Sequence, residues 1–425
     1  MTFLEFLLEF VRISGLIILG FGAVKIAYVP LAMFFNWRYR DRSSKDSLTV
    51  LDQKPLVSVI VPGYNEAVVI TKCVESILAS RYRRFEVILV DDGSTDETAA
   101  IMAALAAEHD RVRSVTQANA GKGAALNRGI ASSHGDILMF VDADGIFAPD
   151  TLLHMLQAFD HPDVGAVCGD DRPVNLDRVQ TRMLAVLSHV GTGLVRRALS
   201  LLHCLPIVSG NMGAFRRELV RSVGGFHEDS LGEDLELTWR VYKAGYRVCF
   251  QPKALVYAES PSTVRGLWRQ RVRWSRGLLQ TLRIHFGMVG NLRYGSFGAF
   301  LVFNTVTMVI IPILQLLVLA VLPYLYLVGH GPVPGEVLAI LGWLGLFVSL
   351  ALIVISLGLN RSWRDLRYVW TLPLWPLYSV FVGLALASAV GKELRGSPAR
   401  WNKLQRTGVV SVPASGISSP EMSRA

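Results

Sequence analysis

The sequence predicts an α/β domain, a mostly parallel sheet with helices on both faces, inserted between transmembrane helices. Three observations lead there. Apolar residues crowd the two ends of the 425-residue chain, only 18% of which is charged, against about 25% in soluble domains; the mean hydropathy is +0.38. The middle, from Pro55 to about Ser260, has soluble-domain composition and alternates short apolar runs with helical patterns. Those runs stop at Pro62, at Asp91-Asp92 and at Asp142, where parallel strands open into a ligand crevice.

Composition also excludes. The hydropathy rules out a disordered chain. The cysteines Cys73, Cys168, Cys204 and Cys249 form no CxxC pair, which argues against a zinc ribbon, a thioredoxin-type site or a disulfide framework and for reduced, buried thiols. A net charge of +9 suits either a nucleic-acid binder or a membrane protein with basic cytoplasmic loops.

In chain order, residues 1–36 form an N-terminal transmembrane segment. Its apolar stretch, 11–35, exceeds the roughly 20 residues that cross a hydrocarbon core. It is followed by Arg38, Arg40 and Arg42 rather than by a cleavage site, so the N-terminus is expected outside and the arginines on the cytoplasmic side. Lys25 within the span either snorkels or faces a protein interior. Residues 55–260 are the soluble domain. Residues 261–292 hold an amphipathic helix, 293–390 about three transmembrane helices, and 391–425 a basic and then flexible tail. The uncharged linker GHGPVPG reads as external and the basic NRSWRDLRY as internal. GKELRGSPARWNKLQR is also basic, yet simple alternation would put it outside. Either the last segment, with Pro373 and Pro376, does not fully cross, or the charge rule fails there.

Within the soluble domain VSVIV (57–61) reads as a strand ended by Pro62, followed by FEVILV (85–90) and DILMFV (136–141), with helical stretches EAVVITKCVESILAS and DETAAIMAALAAEH between. Tyr64, Asn65, Glu66, Asp91, Asp92, Asp142 and Asp144 fall at the strand ends. Neither GxGxxG nor GxxxxGK[ST] occurs, so a backbone cradle for phosphate is poorly supported. A crevice of carboxylates repels a diphosphate unless a divalent cation lies between them. Asp142 and Asp144 offer hard oxygen ligands suited to Mg2+ or Mn2+. Taken alone, Asp-Ala-Asp reads equally as a strand-end turn.

The ordered set VSVIVPGYNE, VDDGSTDET, NAGKGAALNRGI, VDADG, SGNMGAFRR, LGEDLE and QRVRW resembles the processive family-2 glycosyltransferases, among them the hyaluronan, chitin, cellulose and poly-N-acetylglucosamine synthases. The resemblance covers about residues 55–275 and implies a GT-A-type nucleotide-sugar transferase domain. By position it implies that Pro62, Tyr64, Glu66 and Asp91 contact the uridine and that Lys122 lies near the donor. Asp142 and Asp144 would hold the metal, with Asp142 nearer the sugar, and Ser209, Gly210 and Asn211 would border the acceptor. Asp234 would be the general base, taking a proton from the acceptor hydroxyl. Unaided, Ser209-Gly210-Asn211 reads only as a turn, and Glu233-Asp234 as acids favouring a helix N-terminus.

Residues 262–284 carry six arginines and no acid. At about 100° per residue, Val264, Leu267, Trp268, Val272, Leu278, Leu279 and Leu282 share one side. Arg265, Arg269, Arg273, Arg276 and Arg283 take the other, as in a helix lying in a membrane interface with its cations toward headgroups or cytoplasm. Gln270, Arg273 and Trp274 stand at i, i+3 and i+4 and address one site. Their QxxRW spacing resembles the family's acceptor signature, in which Trp274 stacks on the terminal sugar, Arg273 pairs with the diphosphate and Gln270 orients them. Because this region runs straight into an apolar segment, nucleic acid is not an expected partner.

The resemblance therefore implies a metal-dependent hexosyltransferase, processive and inverting, that polymerises a UDP-sugar, with UDP-N-acetylglucosamine favoured. It would be a multi-pass protein of the inner or plasma membrane with a cytoplasmic catalytic domain, passing the growing polysaccharide through the bilayer. The rival is transfer of a single sugar to a polyprenyl phosphate or glycolipid. No regulatory domain is expected after the last span, which leaves control to an accessory subunit.

Overall fold

The computed structural model describes residues 2–42, 54–398 and 406–411. The side chains of Arg40 and Arg42, residues 399–405 of the basic segment, and the tail from Val412 onward lie outside the described residues.

Eight strands form one sheet: β1 Val57–Gly63, β2 Phe85–Asp91, β3 Val112–Thr116, β4 Ile137–Phe140, β5 Ile146–Phe147, β6 Val164–Pro173, β7 Gly213–Arg216 and β8 Arg247–Ala258. Their order is β3-β2-β1-β4-β7-β6-β8-β5. β1 to β4 pair in parallel, as do β6 and β8, while β7 runs antiparallel to both its neighbours and β5 antiparallel to β8. The apolar runs are unbroken because both faces are covered. Val59, Val61, Leu89 and Met139 face one core, with Ile70, Val74, Met102 and Leu152 from its covering helices. Ile60, Ile88, Leu138 and Phe140 face the other, with Leu126, Leu237 and Trp239.

The first strand runs past Pro62, contrary to the sequence expectation, and pairs Pro62 with Val90 and Gly63 with Asp91. Proline is tolerated because its nitrogen points to the β4 side, as the Ile60 carbonyl does when it accepts from the Val141 N–H. β4 pairing stops at Ile60, so no ladder bond is lost.

On the second face, the helix Lys122–Ala131 lies so close to the sheet that a Cβ at Gly129 would sit 2.4 Å from Ile60 Cγ2. Gly129→Ala should destabilise the domain by about 1–3 kcal/mol through overpacking, measurable as a lowered denaturation midpoint; an unchanged midpoint would show that the β-branched neighbour yields.

Among the described residues, four helices are long and apolar enough to cross a membrane: Phe3–Tyr39, Leu292–Leu327, Gly335–Leu359 and Trp363–Leu394. The first changes from α to 3-10 geometry at Lys25–Ala27, and Lys25 is exposed on its flank rather than turned into the protein. Near its start, Arg12 Nε donates to the Pro332 carbonyl, so the N-terminal end and the uncharged linker share one end of the bundle. The fourth is bonded to the rest of the chain at both of its flanks. At its start Asp365 meets His189 at 2.8 Å, and Arg172 and Arg197 bind Ser362 and Asn360. At its end Glu393 takes Arg276 at 2.6 Å and Gln280 at 3.0 Å. The first flank is thus bonded to the catalytic domain and the second to the arginine helix. Between them a 3-10 stretch, Trp363–Leu374, gives way to the helix Trp375–Leu394, whose Gly383 packs on Pro312 and Leu316.

The arginine helix spans Val264–Ile284, capped by Thr263, whose hydroxyl accepts from the Gly266 N–H. One of its cations departs from expectation. Arg276 is buried, paired with Glu393 and bonded to the Ser397 and Pro398 carbonyls. The polar side of the helix is thus partly an internal joint with the final helix, not a uniformly solvated face, because the final helix brings an acid and free carbonyls to it.

Candidate active site

The loops after β1 and β2 are stitched together. Asn65, at φ 56°, accepts through Oδ1 from the Thr95 and Asp96 N–H groups; the Glu66 N–H donates to Thr98 Oγ1. Asp91, buried at the end of β2, accepts from the Ser94 N–H. Asp92 accepts from Gln117 Nε2 and from the Ala120 and Gly121 N–H groups at 2.8–2.9 Å. It is therefore the anchor of the loop that delivers Lys122.

Lys122 opens its helix just after Gly121, which sits at φ 93°. Its Nζ lies 2.6 Å from Asp142 Oδ1 and 3.2 Å from Glu233 Oε1. Burial alone would lower the Lys122 pKa, but Asp142, Glu233 and Asp234 outweigh it and hold the ammonium above its usual range. Burial raises the Glu233 pKa despite the pull of Lys122 and Arg273.

Asp234 stands in the first turn of the helix Glu233–Lys243. Its Oδ2 accepts from the Gly210 N–H and its Oδ1 from the Leu235 N–H, at 2.9 and 2.8 Å. Gly210 is so close that a Cβ there would sit 3.2 Å from Lys122 Nζ and 3.3 Å from Asp234 Oδ2. Asn211 follows, with Oδ1 buried and without a hydrogen-bond partner beside Gly145. Ser209 closes the turn by accepting from the Met212 N–H.

Asp144 is buried. Its Oδ2 accepts from the Glu259 N–H at 2.8 Å, and its Oδ1 meets Arg406 Nη2 at 2.8 Å. Burial raises the Asp144 pKa, and Arg406 offsets part of that rise. Arg406 also lies 3.6 Å from Glu66. It arrives on a segment laid along the domain: Thr407 and Gly408 donate N–H bonds to Glu259, and Ser411 donates to the Val174 carbonyl. Among the described residues no group of three or more His, Cys, Asp or Glu side chains is placed to hold a metal by itself. Asp142 and Asp144 nonetheless fit a hard divalent ion whose remaining ligands come from a bound diphosphate, and the guanidinium on Asp144 shows that this carboxylate takes a cation.

The structure thus brings Glu66, Lys122, Asp142, Asp144, Gly210, Asn211 and Asp234 together, with Pro62, Tyr64 and Asp91 on the adjoining β1 and β2 ends. Arg273 reaches the group through its charge on Glu233. Gln270 and Trp274 stand one turn apart on the arginine helix, and Trp274 is exposed. That helix is fixed to the acid helix by backbone contact: a Cβ at Gly277 would fall 2.8 Å from Gly232 N and Cα. Sequence reasoning missed Glu259 and Arg406. Glu259 follows β8 and obeys the same strand-end rule as the other acids, whereas nothing in the local pattern marks Arg406.

A signature described as "Glycosyltransferase like family 2" matches residues 54–277. The chain belongs to this glycosyltransferase family. Among its relatives, the poly-beta-1,6-N-acetyl-D-glucosamine synthase of Staphylococcus aureus (strain COL) is 32% identical over 249 residues, 57% of this chain and 60% of that protein. The synthase of the same name from Staphylococcus epidermidis is 31% identical over 222 residues, 52% of this chain and 54% of that one. The chain therefore matches less than two thirds of either relative's length. A mannosyltransferase from Pyrobaculum calidifontis, solved with GDP-Man and Mn2+, superposes with a TM-score of 0.60 at 24% identity, covering 92% of this chain and 99% of its own. This likeness carries the fold: a GT-A-type glycosyltransferase domain flanked by apolar helices.

Proposed function

We propose that this family-2 glycosyltransferase is a hexosyltransferase that polymerises UDP-N-acetylglucosamine processively and with inversion, from a cytoplasmic catalytic domain, into an exported polysaccharide. The sugar follows from likeness to the poly-beta-1,6-N-acetyl-D-glucosamine synthases. The observation that carries the reading is the meeting of two parts: the Lys122–Asp142–Glu233–Asp234 cluster and the helix bearing Gln270, Arg273 and Trp274, joined at Gly232 and Gly277.

Asp234 Oδ2, oriented by the Gly210 N–H, takes the proton of the acceptor hydroxyl as that oxygen attacks the anomeric carbon. The bond from that carbon to the donor diphosphate breaks, and UDP leaves with the electron pair. Lys122 and Arg273 are the cations available to the leaving diphosphate. Pro62, Tyr64, Glu66 and Asp91 hold the uridine, Ser209 to Asn211 line the acceptor side, and Trp274 stacks on the terminal sugar. Mg2+ or Mn2+ on Asp142 and Asp144 would supply charge neutralisation and Lewis acidity.

The first three apolar helices cross the bilayer, and the fourth enters and leaves on the cytoplasmic side, which places NRSWRDLRY and the segment after Leu394 together, as their charge requires. The test is product size from purified protein in lipid given UDP-N-acetylglucosamine and Mn2+. A ladder of polymers is expected, and a lipid carrying one sugar would overturn processivity. Trp274→Ala should shorten the polymer and leave UDP binding unchanged; full-length product from that variant would remove Trp274 from the acceptor site.

A further inference from the structure

The arginine helix holds a half-buried cation that the proposed reaction does not use. Arg271 lies between Gln270 and Arg273 in sequence but faces elsewhere. Its guanidinium carbon sits 4.2 Å from the centroid of the Trp274 ring and 5.7 Å from that of Tyr378 on the final helix. Tyr378 is thus its second aromatic neighbour, carried by the final helix. Among the described residues no carboxylate pairs with it, and its Nε is buried without a hydrogen-bond partner.

The neighbouring contacts show what Arg271 is not needed for. The arginine helix and the final helix are already fastened by Val272 against Ala385 and Ala389, by Trp268 edge-on to Phe381, and by the Arg276–Glu393 pair. A guanidinium without a counter-ion adds nothing to such packing, because taking it out of water is costly unless a ring face or a polar group receives it. Trp274 is that ring. It stands three residues after Arg271, on the same face, and helical side chains lean back toward the N-terminus, so the indole folds over the guanidinium. Yet Trp274 remains 49% exposed, so only part of its surface is covered.

We propose that Arg271 is the positioning residue for Trp274: stacked on one face of the indole and backed by the Tyr378 ring, it leaves the opposite face turned to the acceptor sugar. This rests on the reading of Trp274 as the acceptor platform. It ties the angle of that platform to the final helix, so the acceptor site is completed by a segment remote in sequence from the catalytic domain.

The test uses the full chain in lipid nanodiscs with UDP-N-acetylglucosamine and Mn2+, and reads product length and donor KM separately. Arg271→Ala should shorten the mean product about three- to tenfold while donor KM stays within about twofold. Arg271→Lys should not restore length, since an ammonium neither stacks flat nor forks. Tyr378→Ala, which removes the second ring, should shorten the product less. Arg271→Ala combined with Trp274→Ala should be no shorter than Trp274→Ala alone. Normal length in Arg271→Ala, where Trp274→Ala shortens the product, overturns the positioning role and leaves the platform standing. Normal length in Trp274→Ala overturns the platform and the proposal with it. A raised donor KM with normal length makes Arg271 a donor ligand and also overturns the proposal. Should Arg271→Ala fail to fold, Tyr378→Ala decides: unchanged length there counts against the role.

Discussion

Asp234→Asn should cut turnover by about 10²–10⁴-fold while UDP-sugar binding survives. The amide oxygen can still accept the Gly210 N–H that Oδ2 now takes at 2.9 Å, so the loop keeps its place. The amide cannot take a proton from the acceptor. Loss of a first-turn acid costs only about 0.3–1 kcal/mol of stability, too little to account for such a fall. Glu233→Gln is the informative companion. It weakens the contact of Lys122 Nζ with Glu233, and should raise donor KM more than it lowers kcat. UDP release against calorimetric UDP binding separates the two variants. Near-normal turnover in Asp234→Asn would move the base elsewhere, with Glu233 the next candidate.

Arg406→Gln should make the protein depend on divalent cation for stability. In the wild type, the buried Asp144 carboxylate is met by Arg406 at 2.8 Å. Breaking a buried pair by removing one partner costs about 3–5 kcal/mol, discounted here because Arg406 is partly exposed. A divalent ion can take the vacated place, and it no longer has to displace a guanidinium. Mn2+ with UDP should therefore raise the thermal midpoint of Arg406→Gln more than that of the wild type. In Asp144→Asn the Mn2+ effect should vanish. Equal Mn2+ shifts in wild type and Arg406→Gln would show that the ion binds away from Asp144.

The sheet and the acids at its strand ends were legible because each is a local pattern: an unbroken apolar run, then a polar break. Pro62 misled for the same reason, since the run alone does not reveal that β4 stops two residues short of it. Arg276 was read as an outward cation because helical phase gives a direction but not what lies there; its partner, Glu393, is 117 residues away. The fourth apolar segment shows length and composition without direction, and its proposed return to the cytoplasmic side rests on Asp365 and Glu393 finding partners elsewhere in the chain. Arg406 is the extreme case. Its place on Asp144 is set by a segment docked on Glu259 and Val174, and a sequence window around it carries no trace of either.

The contact between Gly232 and Gly277 has a mechanical consequence. Asp234 is two residues from one end of it and Trp274 three residues from the other, so the proposed proton acceptor and the proposed sugar platform are both gauged from one rigid joint, like two stops on a single jig. If a thicker bilayer tips the arginine helix, it carries both stops together. A bulky residue at Gly277 should therefore change the spacing between Asp234 and the helix that bears Trp274, while the angle of the indole itself also depends on Arg271 and the final helix.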